Sequence, residues 1–133
     1  MTSRAPGPLV LIVDDNEKNL KLARDVLRAA GFQTLEAASG AQAIALAAEH
    51  VPDLVLLDLR LPDMNGVDVA RELGAIPVVA LTALRLAADG AELHAAGFVG
   101  YLEKPIDIAA FPDQVRSFCA RGASTPSTGT RPG

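Results

Sequence analysis

The sequence predicts an α/β fold, a doubly wound parallel sheet of five strands with helices on both faces. The first observation is a set of short apolar runs closed by turn chemistry: Leu9 to Val13, Leu54 to Leu57, and Ile76 to Leu81. Runs of this length and composition fit strands buried on both faces, as in a parallel sheet. The second is that segments with helical spacing lie between them. The third is order: strand and helix alternate five times, which parallel strands joined by right-handed crossovers accommodate.

Leu9-Val10-Leu11-Ile12-Val13 reads as the first strand and ends in Asp14-Asp15. Asn16 reads as the N-cap of a helix with Leu20, Ala23, Leu27 and Ala30 at helical spacing, stopped by Gly31. Phe32 to Ala37 is a weaker, partly polar strand that suits a sheet edge. Ser39 with Gln42 three residues on is a capping-box pattern, opening an Ala-rich helix to about His50 that Pro52 forbids to continue. Asp53-Leu54-Val55-Leu56-Leu57-Asp58 is the central strand, followed by the loop Leu61-Pro62-Asp63-Met64-Asn65-Gly66, in which Asp63 and Asn65 read as loop formers.

Val67 to Leu73 allows a third helix of about two turns before Gly74. Ile76 to Leu81 is the fourth strand, closed by Thr82. Leu84 to Ala96 is expected as a fourth helix, short, bent or mobile because Asp89-Gly90 sits in its middle and Gly costs about 1 kcal/mol relative to Ala there. Phe98 to Leu102 is the last strand, followed by Glu103-Lys104-Pro105. Asp107 is expected to cap a fifth helix to about Arg121, with an irregular start near Pro112. The folded unit is thus residues 8–121, with 1–7 and the Ser/Thr/Pro/Gly-rich 122–133 expected to be disordered flanks.

A chain of 133 residues, half of them hydrophobic, is one domain with a real core. Its net charge of −4 argues against a nucleic-acid phosphate tracker, which is normally basic. The single Cys119 can form neither an internal disulfide nor a zinc site, reads as buried filler, and suits a reducing cytoplasm. Residues 1–8 carry one Arg and no apolar core, unlike a signal peptide, and no apolar run approaches membrane-spanning length. His50 and His94 read as surface helix residues, Arg24, Asp25 and Arg28 as a solvated helix face, and Leu84, Leu86 and Leu93 as core.

The strand ends carry the chemistry. Asp14 and Asp15, Asp58, Thr82 and Lys104 each follow a separate strand, so a parallel sheet gathers them at one edge, where open α/β sheets bind ligands. Any one of them alone is an ordinary cap or loop residue. Three carboxylates in one crevice repel each other and stay ionised together only beside a cation. Hard oxygen ligands with room for waters and a phosphate suit Mg²⁺ better than Ca²⁺ or zinc. With Lys104 as a compact positive charge and Thr82 as a hydroxyl donor, the set describes a phosphoryl-accepting aspartate, Asp58.

Four pieces, Val13-Asp14-Asp15-Asn16, Leu57-Asp58 with Leu61-Pro62-Asp63-Met64-Asn65-Gly66, Leu81-Thr82-Ala83 and Tyr101-Leu102-Glu103-Lys104-Pro105, resemble the receiver domains of two-component response regulators. They span Leu9 to about Cys119 in that family's order and spacing, and together they are highly specific. The resemblance implies a flavodoxin-like receiver fold with strand order 2-1-3-4-5. It implies that Asp58 is phosphorylated by a histidine kinase or phosphotransfer protein. It implies Asp15 as direct Mg²⁺ ligand, Asp14 as ligand through water, and the Arg60 carbonyl as a further ligand. Thr82 and Tyr101 would be the switch pair, Lys104 would salt-bridge the phosphate, and the Lys104-Pro105 bond would be cis.

The chain departs from the family pattern in its short third helix and in Gly90. Arg60 and Leu84 occupy places that tune phosphate lifetime in such domains, and slow self-dephosphorylation is the expectation. No output domain follows Cys119 in this sequence, so a stand-alone receiver of the single-domain type is expected. It would signal to an unknown protein target through its fourth helix, last strand and fifth helix, with a phosphorylation-dependent dimer left open. An aspartate-dependent phosphatase would want an acid where Arg60 stands and a cap for which there is no chain. A receiver-shaped module that is never phosphorylated, and a flavin carrier, fit the acidic set less well.

Overall fold

The computed structural model describes residues 7–82, 95–104 and 106–123. Among the described residues nine elements follow one another: β1 (Leu9–Val13), α1 (Glu17–Ala29), β2 (Gln33–Ala37), α2 (Gly40–His50), β3 (Leu54–Asp58), α3 (Gly66–Leu73), β4 (Val78–Thr82), β5 (Gly100–Glu103) and a last helix, Phe111–Ala123. All strand pairs are parallel, in the order β2-β1-β3-β4-β5. The expectations for the fourth helix, Gly90, Leu84, Leu86, Leu93, His94 and Pro105, and for both flanks outside residues 7–123, lie outside the described residues.

Period-two alternation of the strands divides the core into two layers. Leu11, Val13, Val55, Leu57, Val78 and Ala80 face α2 and α3, meeting Ala43, Ala47, Val69 and Leu73. Val10, Ile12, Leu54, Leu56, Val79 and Leu81 face α1 and the last helix, meeting Leu20, Ala23, Leu27, Phe111 and Val115. Every residue of β3 and β4 is buried, whereas the edge strands β2 and β5 each bury only one, Ala37 and Leu102 respectively. This is why β2 looked weak in sequence.

Local signals set the helix ends. Asn16 Oδ1 accepts from Lys18 N–H (2.9 Å) and Asn19 N–H (3.1 Å), and Ser39 Oγ from Gln42 N–H (3.1 Å). Gln42 returns its side-chain oxygen to Ala38 N–H (2.9 Å), one residue before the usual capping-box partner. Gly31, at φ 98°, takes the left-handed turn that ends α1. The end of α2 is unusual, because Val51 adopts φ 46° and ψ 71° there.

Several boundaries differ from expectation. β4 begins at Val78, since Pro77 has no N–H for the ladder, although its carbonyl still accepts from Val55 N–H (2.9 Å). β5 begins at Gly100 while Phe98 is buried below it. Asp107 caps a turn rather than the last helix itself: its Oδ1 accepts from Ala109 N–H (3.1 Å) and its carbonyl from Phe111 N–H (2.8 Å). Pro112 then occupies the first helical turn, where a missing N–H costs nothing.

Candidate phosphoryl-acceptor site

Register brings the strand ends together. Val13 lies opposite Leu57, so Asp14 follows β1 at the level of Asp58 at the end of β3. Asp58 pairs with Leu81, and Thr82 pairs with Glu103, which places Thr82 one step and Lys104 two steps further along. The result is a cleft of about 360 Å³ lined by Asp14, Asp15, Asn16, Asn19, Asp58, Leu59, Arg60, Thr82 and Lys104.

Inside it, Lys104 bridges two carboxylates. Its Nζ lies 2.9 Å from Asp14 Oδ2 and 3.1 Å from Asp58 Oδ2. Asp14, Asp58 and Thr82 are buried, and Asp15 is exposed at the cleft mouth. The remaining oxygens are held as well. Asp58 Oδ1 accepts from Arg60 N–H (2.8 Å), and Asp14 Oδ1 accepts from Asn16 N–H (2.9 Å). Lys104 is oriented from its own backbone, because its N–H donates to the Thr82 carbonyl (2.7 Å).

Burial pushes the Asp58 carboxyl above the usual carboxylate range. The Arg60 N–H and the Lys104 ammonium pull it down, and the charge of Asp14 adds to the burial. Burial works against the Lys104 charge too, but the two carboxylates outweigh it and hold the ammonium above the ordinary lysine value. The structure therefore keeps a permanently cationic lysine against a carboxylate whose charge is destabilised by its surroundings.

Ligand oxygens of Asp14, Asp15 and Asp58 lie within 4.8 Å of one another. Three hard anionic donors at that separation, one of them open to water, fit a small hydrated divalent cation such as Mg²⁺. Six of the residues singled out from the sequence (Asp14, Asp15, Asp58, Arg60, Thr82 and Lys104) thus line one cleft. Tyr101 does not line it. Its ring sits half-exposed on β5, over a neighbouring groove shared with Lys104, Ile106 and Gln114. Sequence reasoning missed Asn19, whose Nδ2 donates to Asp14 Oδ2 (3.2 Å) from the first turn of α1. Its spacing from Asp14, five residues across a cap, is the signal that could have found it.

The model of the response regulator receiver domain matches residues 10–116. The polar-differentiation response regulator DivK of Brucella ovis is 40% identical over 115 residues, covering 82% of this chain and 94% of that protein. A Francisella response regulator receiver domain superposes with a TM-score of 0.79 at 25% identity, covering 86% of this chain and 98% of its own. A CheY-like receiver domain protein from Methanospirillum hungatei reaches a TM-score of 0.81 over 89% and 98% of the two chains, and at 20% identity it speaks for the fold alone. Among the described residues no helix is long and apolar enough to cross a membrane. Matched along its sequence, in its sheet order and in solved structures alike, this chain belongs to the response regulator receiver domain family.

Proposed function

We propose that residues 8–121 form a phosphorylation-controlled switch in which Asp58 accepts a phosphoryl group from a histidine kinase or phosphotransfer protein. The single observation that carries this is the meeting of Asp58 with Asp14, Asp15 and Lys104 in one cleft. The carboxylates of Asp14, Asp15 and Asp58 and the carbonyl of Arg60 would hold Mg²⁺, which when bound neutralises charge on the transferring phosphoryl oxygens. A carboxylate oxygen of Asp58 attacks phosphorus as the donor's N–P bond breaks. The electron pair of that bond stays on the donor imidazole.

Lys104 shifts its ammonium from Asp58 toward the incoming phosphate, exchanging one anion for another at little cost in desolvation. Thr82 offers its hydroxyl to a phosphoryl oxygen from the next strand. Tyr101, half-exposed on the edge strand, has room to change position, and through it the phosphate state reaches the groove beside β5. That groove and the last helix are where a downstream protein would read the switch. Receiver domains are signalling domains, and turnover here would be limited to one phosphoryl group per chain at a time.

Incubation with phosphoramidate and Mg²⁺ tests this reading. The expected result is one acid-stable, hydroxylamine-labile phosphate per chain, lost in Asp58→Asn. Rapid release of many phosphates per chain would point to a phosphatase. Absence of an adduct despite Mg²⁺ binding would point to a module that is never phosphorylated.

A further inference from the structure

The loop from Leu59 to Asn65 carries Arg60, whose carbonyl the reading above offers to the metal. Its near end is tied to the site by the Arg60 N–H on Asp58 Oδ1, and Arg60 also forms a bridge with Asn65 across the loop. Its far end is tied to something outside the cleft. Asp63 Oδ1 accepts from Gly40 N–H (2.8 Å) and Asp63 Oδ2 from Ala41 N–H (3.0 Å). These are the first two N–H groups of α2, which have no partner within their own helix. An anionic carboxylate is favoured at that helix end.

Packing reinforces the tie. Gly40 approaches Met64 so closely that a Cβ there would lie 2.9 Å from Met64 Sδ and the same distance from Val69 Cγ2. The two backbone amides hold the Asp63 carboxyl below the usual carboxylate range, so it is ionised when it makes these bonds. Asp63 is exposed and is not among the residues lining the cleft. Ser39 caps a different amide, that of Gln42, so the two side chains share the N-terminus of α2 and of the two only Asp63 links it to the loop.

We propose that Asp63 is a positioning residue for metal binding: it straps the loop bearing the Arg60 carbonyl to the N-terminus of α2. This rests on the reading of the cleft given above. A residue that acts only as a cap would change stability and leave metal affinity alone. A residue that positions a ligand-bearing loop changes affinity without touching the ion.

The test compares the full chain with Asp63→Ala, Asp63→Asn and Ser39→Ala by calorimetric titration with MgCl2, alongside phosphoramidate labelling at limiting and saturating Mg²⁺. Asp63→Ala should bind Mg²⁺ on the order of tenfold more weakly, as loss of a residue supporting a metal ligand typically does. Its labelling rate should return toward that of the parent when Mg²⁺ saturates. Asp63→Asn, which keeps one acceptor oxygen, should fall between. Ser39→Ala removes a bond at the same helix end and should leave Mg²⁺ affinity unchanged. Unaltered affinity in Asp63→Ala, with Asp15→Asn weakened, would overturn the Asp63 proposal alone. Equal weakening in Asp63→Ala and Ser39→Ala would overturn it too. A parent chain that binds no Mg²⁺ would overturn the reading of the cleft and this proposal with it.

Discussion

Replacing Lys104 by Met keeps the apolar stem and deletes the charge that lies 2.9 Å from Asp14 and 3.1 Å from Asp58. Those carboxylates are only 2% and 9% exposed, so water cannot substitute for the ammonium. Removing one partner of a buried pair costs about 3–5 kcal/mol. The folded chain has an escape, because one carboxyl can take up a proton. That costs about 1.4 kcal/mol per pH unit above a normal value of about 3.9, hence about 4 kcal/mol at pH 7 and about 1.5 at pH 5. The desolvation of Lys104 itself is recovered in the variant. We therefore expect a loss of about 2–3 kcal/mol at pH 7 and less than about 1.5 at pH 5.

The sign follows from proton counting. A folded carboxyl that holds its proton above the unfolded value makes the native state bind more protons. Stability of Lys104→Met must then fall, relative to the parent, as pH rises from 5 to 7. Urea unfolding at pH 5, 6 and 7 in chelator measures this. Added Mg²⁺ should narrow the gap by binding the native state, and Asp58→Asn in the same chain should restore most of it. A destabilisation independent of pH would refute the reasoning.

Val51→Asn should raise stability. A left-handed conformation costs an L-residue about 1–2 kcal/mol, a β-branched one more, and Asn tolerates it. Val51 is 66% exposed and gives up little burial, so a gain of about 0.5–1 kcal/mol and a melting temperature about 2–5 °C higher are expected by calorimetry. Cys119, buried against the sheet with its thiol pushed up to about 11, should alkylate with iodoacetamide at pH 8 about a hundredfold more slowly than in urea-unfolded chain. Equal rates would place the thiol at the surface. The Asp63 carboxyl, held low by the α2 amides, contributes stability that is complete above its unfolded value near 3.8 and is lost as pH falls through its lower folded value. Amide chemical shifts of Gly40 and Ala41 should therefore titrate only below about pH 4. If the long side chain of Arg60, which lines the cleft, screens a phosphate on Asp58 from attacking water, Arg60→Ala should speed its decay; an unchanged decay rate counts against that role.

Most of the architecture was legible from composition along the chain. β3 and β4 announce themselves because both faces are buried and every position before the polar last one is apolar, as Leu54-Val55-Leu56-Leu57 shows. Caps such as Asn16 and Ser39 are local events, settled by one side chain and the next turn. Even the acid cluster could be read, because parallel strands send all their carboxyl ends to one edge. Strand starts were harder: β4 begins at Val78, after Pro77, and β5 only at Gly100. Asp63 and Asn65 illustrate the limit. Both looked like loop formers. One caps the next helix, Val67 N–H donating to Asn65 Oδ1 (2.8 Å), and the other reaches back 23 residues to α2.

The sequence by itself determined the alternation of strand and helix, the buried centre of the sheet and the identity of the polar groups at its edge, because periodicity and turn chemistry are properties of neighbours along the chain. Only the tertiary structure decided that Lys104 joins Asp14 to Asp58 and that Asp63 ties the loop after β3 to α2. Those bonds cross between elements distant in the chain. Charge separations of a few ångströms depend on strand register and loop path, which no local pattern encodes.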